Sequence, residues 1–207
     1  MQTITIKIID IDFVKDNEDM ILSVLDEERI KKADRLIKET DRLLSLGAGL
    51  LTSVCAPKGK ILFNENGKPY AEGGPFFNVS HSGRYVVAAT DVSRETGVDI
   101  QKIDEKRLAA IRYVSDEASS VEQAFAIWAN KESLIKCLGA NMSIIKEVPA
   151  LPLNGARYYK GEGFYTRSTI FDGYALSVTL KGVEPFVTVV EKAERKVGLS
   201  WEQYKQS

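Results

Sequence analysis

Polar and apolar residues alternate through Met1-Gln-Thr-Ile-Thr-Ile-Lys-Ile-Ile-Asp10, which predicts a strand with one buried face and argues against a signal peptide. The period then lengthens. A highly charged run from Asp26 toward Ile37 reads as a helix capped by Asp26. Leu43, Leu44, Leu50, Leu51 and Val54 recur at helical spacing, so residues 40–54 predict a more buried helix, ended by Pro57. Asn64-Glu-Asn-Gly-Lys68-Pro69 is a turn by composition, Phe76 to Val79 a strand, and Ser80-His-Ser-Gly83 the next turn. Tyr85 to Thr90 and Gly97 to Ile100 read as strands, the second leading into a charged helix near Asp104. Residues 120–138 predict a further helix, marked by Ala124, Ile127, Trp128, Leu134, Ile135 and Leu138 and closed by Gly139. Residues 151–190 are mostly strand and turn.

Two segments echo each other. Ser82-Gly-Arg-Tyr-Val-Val-Ala-Ala-Thr90 and Asp172-Gly-Tyr-Ala-Leu-Ser-Val-Thr179 share a Gly, a Tyr and a following apolar strand, each after a long helix. Two similar α+β halves would produce this, and so would coincidence, because turn, aromatic and strand recur in any antiparallel sheet.

Composition narrows the classes of function. At 44% hydrophobic and 28% charged, 207 residues bury an ordinary core, and 28 Lys plus Arg against 29 Asp plus Glu leave no global field for nucleic acid or an anionic membrane. No run reaches membrane-spanning length. Cys55 and Cys137, far apart and without paired spacing, read as small buried apolar residues in a reducing, cytoplasmic setting.

Three constellations carry candidate chemistry. On a strand, Asp99 and Gln101 project to the face opposite Val98 and Ile100. On the later helix, Trp128, Glu132 and Lys136 are spaced four apart and share a face; taken alone, Glu132 and Lys136 read more readily as an ordinary exposed salt bridge. Asn78-Val-Ser-His-Ser-Gly83 holds the only histidine of the chain. A hydrolytic triad is disfavoured, since the Gly-x-Ser-x-Gly elbow is absent. Hydroxyls, imidazole and backbone amides in a tight turn suit a phosphate oxygen, although His81 taken singly is as readily a structural turn residue.

In this order, Gly67-Lys-Pro, Phe77-Asn-Val-Ser-His-Ser-Gly83, Gly97-Val-Asp-Ile-Gln101 and Trp128-Ala-Asn-Lys-Glu-Ser-Leu-Ile-Lys136 resemble the 4′-phosphopantetheinyl transferase superfamily, in its longer single-chain, surfactin-synthetase-activating type. Glu27 to Gly47 and Tyr165 to Val178 also look like the family. The resemblance implies an α+β, pseudo-dimeric fold with coenzyme A between two similar halves, here residues 1–95 and 96–207. It further implies transfer of 4′-phosphopantetheine to a serine of an apo acyl or peptidyl carrier protein, in polyketide, nonribosomal peptide or fatty acid synthesis. By the same resemblance Asp99, Gln101 and Glu132 hold Mg2+, Glu132 takes the serine proton and Lys136 offsets charge on the departing phosphate. Ser80, His81 and Lys131 would meet the donor's phosphates, and Lys68 and Lys31 its nucleotide end. Arg29, Lys32, Arg35 and Lys38 crowd the segment around Lys31, where most such cations are simply solvated. A monomer is expected, because two fused halves enclose one site.

Two positions depart from the pattern. Many relatives carry Asp-x-Glu where Asp99-Ile-Gln101 stands, so a neutral amide replaces one anionic ligand and a raised magnesium requirement is expected. Glu28 occupies the place of a basic nucleotide contact, which would weaken donor affinity. The competing readings are a coenzyme A-binding regulatory module with weak or lost transfer, and an unrelated interaction domain. The charged, amphipathic segment Glu191 to Ser207 carries no assigned function.

Overall fold

The alternation at the start of the chain becomes β1 (Gln2–Asp10), with Ile4, Ile6 and Ile8 buried on one face. The computed structural model describes residues 2–56, 60–115 and 117–193. Asp10 accepts from the Phe13 amide at 2.8 Å and starts α1 (Ile11–Asp16), followed by α2 (Glu18–Val24). Neither helix is long enough to declare a period, and the sequence pattern shows neither. Asp26 caps α3 (Glu27–Asp34) through the Arg29 amide, and α4 (Glu39–Cys55) is the buried helix that leucine spacing predicts. Pro57 lies outside the described residues. The strands β2 (Ile61–Phe63) and β3 (Pro69–Ala71) form a small hairpin around the Asn64 turn. Then come β4 (Phe76–Ser82) and β5 (Tyr85–Asp91). The second half runs β6 (Thr96–Lys102), a 3₁₀ turn, α5 (Leu108–Arg112), α6 (Val121–Leu138), β7 (Asn154–Tyr159), β8 (Glu162–Phe171), β9 (Tyr174–Lys181) and β10 (Phe186–Lys192).

One expectation needs correction. Ser80 and His81 are not in a turn: they pair with Val87 and Val86 inside the β4–β5 hairpin, whose loop is only Gly83-Arg84. Ser-His-Ser-Gly has turn composition, but its alternate polar side chains serve a second strand edge.

The four-stranded sheets are ordered β10-β1-β5-β4 and β6-β9-β8-β7. Within them β1-β5-β4 and β6-β9-β8 repeat one antiparallel arrangement, with α4 or α6 lying between the first strand and the hairpin. The fold is therefore α+β and pseudo-dimeric. Ile4, Ile6, Ile8, Val87, Val98, Ile100, Leu176, Val178 and Phe186 fill the space between the sheets. Leu46, Leu50 and Leu51 of α4 cover the outer face of the first sheet, against Val86 and Ala88. Each such aliphatic side chain contributes about 1.5–3 kcal/mol when fully buried.

The sequence echo is a physical contact. Tyr85 and Tyr174 follow the two hairpin loops, and their rings meet edge to face at 4.9 Å. Each hydroxyl reaches the other half's loop: Tyr85 donates to Asp172 at 2.6 Å, and the Arg84 amide donates to the Tyr174 hydroxyl at 3.0 Å. Gly83, at φ +59°, has the Tyr174 hydroxyl where a Cβ would stand.

The halves are also joined edge to edge. Among the described residues the β6 edge facing away from β9 has no backbone-paired strand; instead Val98 N–H donates to Asn78 Oδ1 at 2.9 Å, Ile100 N–H to Ser80 Oγ at 3.4 Å and Lys102 N–H to Ser82 Oγ at 2.9 Å. Side chains from every second residue of β4 thus satisfy every second amide of β6. From the second half, β10 pairs in parallel with β1. Asn78→Ala is expected to strand the buried Val98 amide and lower stability by about 1–3 kcal/mol in urea unfolding, whereas a loss under about 0.5 kcal/mol would contradict the ladder.

Candidate active site

Alternation along β6 sends Val98 and Ile100 into the core between the sheets and leaves Gly97, Asp99 and Gln101 on the face covered by α6. The helix lies close because residue 97 has no side chain: a Cβ there would overlap the Ser133 carbonyl oxygen and the Cys137 amide nitrogen. Ser120 caps α6, accepting from the Gln123 amide at 3.1 Å, and Gly139 closes it at φ +63°. Ser133 pins the helix to the sheet beneath, its hydroxyl 2.7 Å from that of Thr179 and 3.1 Å from that of Ser177, and Thr166 and Ser168 extend this buried ladder.

Glu132 and Lys136 consequently stand above Asp99. The Lys136 ammonium donates to Ser80 Oγ at 2.8 Å and to Asp99 Oδ1, and lies 3.7 Å from Glu132 Oε2. Ser80 donates to Asp99 Oδ1 at 2.8 Å, so β4 contributes directly to the cluster. Gln101 faces Asp99 with its amide nitrogen, Nε2 to Oδ2 at 2.9 Å, and its oxygen accepts from Arg107 at 3.4 Å. Asp99 is fully buried, while the Glu132 and Lys136 side chains keep 13% and 24% of their surface open. Solvent and ligands therefore reach the cluster from the Glu132–Lys136 side.

Burial, then the charge of Asp99, pushes the Glu132 carboxyl up to about 8, against the opposing pull of Lys136 and of the Trp128 indole one turn earlier. Two acids converging in so little water hold a proton that an ordinary surface glutamate would release. Among the described residues, no group of three or more His, Cys, Asp or Glu is placed to hold a metal. The oxygen donors here are two carboxylates and one amide.

The other predicted residues lie around this centre at different removes. His81 keeps an open face, but loss of water around its ring, then the charges of Lys136 and Arg29, hold the imidazole below the usual histidine range. Lys131 is buried on α6 and makes none of the hydrogen bonds or ion pairs found among the described residues. Lys31 is exposed on α3 and pairs with Glu27 at 3.2 Å. Lys68 points to the carbonyl end of α6, with Glu95 Oε2, Thr96 O and Cys137 O each at 3.2 Å. It also lines a cavity of about 320 Å³ with Tyr70, Phe76 and Phe164.

No protein-family profile matches the chain. A 4′-phosphopantetheinyl transferase of Bacillus subtilis is 30% identical over 148 residues, 61% of this chain and 66% of that protein. The 4′-phosphopantetheinyl transferase gsp of Aneurinibacillus migulanus is 35% identical over 101 residues, 42% of each chain. The 4′-phosphopantetheinyl transferase Sfp of Bacillus subtilis (strain 168) is 31% identical over 151 residues, 63% of this chain and 67% of that protein. The chain belongs to the 4′-phosphopantetheinyl transferase family. It covers less than two thirds of the first two of these relatives, 66% and 42% of their lengths.

Within this family member, motif reading missed several groups that build the site. Arg107 touches Gln101 from just beyond β6. Arg29 donates to the Ser45 carbonyl at 2.7 Å, while its Nε is buried without a hydrogen-bond partner among the described residues. The hydroxyl ladder under α6 left no trace at the motif level, although polar residues at alternate positions of an otherwise apolar strand, as in Ser177 and Thr179 of β9, are a usable sign of side chains serving a neighbouring element.

The raised Glu132 carboxyl makes stability depend on pH with a definite sign. The folded protein holds this proton up to about pH 8, whereas the unfolded chain releases it near 4.5, so the stabilisation present at low pH is lost as pH climbs between these values. In metal-free buffer Glu132→Gln, which copies the protonated form, is expected to be more stable than the parent by about 1 kcal/mol or more at high pH, with the gap closing in acid. Urea midpoints across pH measure it, and a destabilised variant at high pH would contradict the assignment.

Proposed function

We propose that the chain transfers the 4′-phosphopantetheine group of coenzyme A to a serine hydroxyl of an apo acyl or peptidyl carrier protein, releasing adenosine 3′,5′-bisphosphate. The observation that carries this reading is the meeting of Asp99, Glu132, Lys136 and Ser80, drawn from three separate segments, at one partly open point between the halves. Family membership supplies the reaction class. In this reading residues 1–95 and 96–207 each contribute one wall, and a single chain in a reducing cytoplasm is the working unit.

The chemistry sets three demands. A serine oxygen attacks the β-phosphorus, its proton must leave, and the bond to the departing nucleotide phosphate breaks. Glu132 takes the proton, directly or through water, from its open side of the cluster. Lys136 neutralises negative charge growing on the leaving oxygen, and its present partners Ser80 and Asp99 hold it in place. Ser80, His81 and Lys131 meet the phosphates, with Lys31 at the outer, nucleotide end. Lys68 already has protein acceptors for its protons, and a phosphate there would have to replace one.

A hard divalent cation fits the site. Asp99 and Glu132 are two acids forced together in low water, and a cation held by them would offset the burial and the neighbouring charge that now raise Glu132. Mg2+ held by Asp99 and Glu132 would supply charge neutralisation at the diphosphate. Gln101 offers its amide oxygen only after the amide turns over, since its nitrogen now faces Asp99 and its oxygen Arg107. A neutral third donor should weaken the hold on the cation.

Incubating the protein with coenzyme A, magnesium and an apo carrier protein, then weighing the carrier, tests the reading. The expected result is a gain of one phosphopantetheine, slowed at least about 100-fold in Glu132→Ala. An unmodified carrier, or Glu132→Ala working at the parent rate, would overturn it. In the same assay Gln101→Glu is expected to reach half its maximal rate at lower magnesium, and an unchanged or higher requirement would remove Gln101 from the cation site.

A further inference from the structure

The hairpin of β2 and β3 belongs to the first half of the chain, yet its loop closes on the last turn of α6 in the second. Asn64 Nδ2 and Asn66 Nδ2 both donate to the Gly139 carbonyl at 2.9 Å. The Lys68 ammonium donates to the Cys137 carbonyl at 3.2 Å and, at the same distance, to the Thr96 carbonyl and the Glu95 carboxylate. Asn64 Oδ1 accepts from the amides of Asn66 and Lys68 at 3.0 and 2.8 Å, which fixes the loop that presents these donors. Fit is close, because a Cβ on Gly139 would stand 2.7 Å from Asn64 Nδ2.

Helix ends leave carbonyls without partners, and the negative end of the helix dipole favours a cation there. Three donors from a distant hairpin meet that need here. The position of Lys68 matters more than its charge alone. Thr96 opens β6, three residues before Asp99, and Cys137 follows Lys136 directly. One ammonium thus ties the strand that carries Asp99 to the helix turn that carries Lys136, on the side away from their own contact.

We propose that Asn64 and Lys68 are positioning residues, which clamp the end of α6 to β6 and so set the Lys136–Asp99 register for transfer. This rests on the transfer reading above, and it gives Lys68 a task different from a contact with the donor's nucleotide phosphate. Misplacing a catalytic group by about 1 Å can cost about 100-fold in rate.

Lys68→Met and Asn64→Ala separate the two tasks when assayed with coenzyme A and with 3′-dephospho-coenzyme A as donors. A clamp predicts that both variants lose kcat about 10-fold with either donor and keep the parent KM. It also predicts faster amide hydrogen exchange at residues 136–140 in both variants, with residues 121–130 unchanged. A nucleotide contact predicts instead a raised KM in Lys68→Met alone, seen with coenzyme A and absent with the dephospho donor, and unchanged exchange. That pattern would overturn the proposal. Should the parent protein transfer nothing to any carrier, the transfer reading fails by itself, and exchange at residues 136–140 still decides whether the clamp exists.

Discussion

A strand edge exposes amides that must find acceptors, and in this protein β6 finds them in side chains of β4 rather than in another backbone. The spacing between β4 and β6 is therefore that of a side chain bridging two strands. Ser80 shows what this achieves. Its hydroxyl accepts from the Ile100 amide and from Lys136, and donates to Asp99, so one atom belongs both to the joint between the halves and to the chemical centre. The site could not be moved relative to that joint without leaving buried polar groups unpaired, at about 1–3 kcal/mol each.

The same arrangement concentrates charge that the fold would be better off without. Asp99 is fully buried and Glu132 nearly so, and the second acid answers by holding a proton. Lys136, Ser80 and Gln101 all aim donors at Asp99, while burial and the charge of Asp99 push the Glu132 carboxyl up to about 8. Such local cost is the common signature of a site selected for reactivity over stability. Gln101 adds no further negative charge beside Asp99, and its amide oxygen accepts from Arg107.

Much of the frame was legible from residue pattern because the deciding signals are local. Periodicity and caps located α3, α4 and α6, and alternation placed Asp99 and Gln101 together on one face of β6, which the structure covers with α6. The Gly-Tyr echo was real because it marks two hairpins whose tyrosines touch across the joint. The short helices α1 and α2 escaped, having too few turns to show a period, and the Ser80 segment was misread because composition reports polarity and not which edge the polar groups serve. Lys68 illustrates the other limit: its motif marks the residue, while its three acceptors come from residues 95, 96 and 137, which no local pattern connects.

The claim on which the account turns is that the donor's diphosphate sits at the joint between the halves, over Asp99 and between Ser80, Glu132 and Lys136. A crystal structure of the protein soaked with coenzyme A and magnesium addresses it most directly. The account predicts diphosphate oxygens within hydrogen-bond distance of Lys136 and Ser80, with Mg2+ held by Asp99 and Glu132. Coenzyme A bound elsewhere, with the Lys136–Asp99 contact undisturbed, would contradict it.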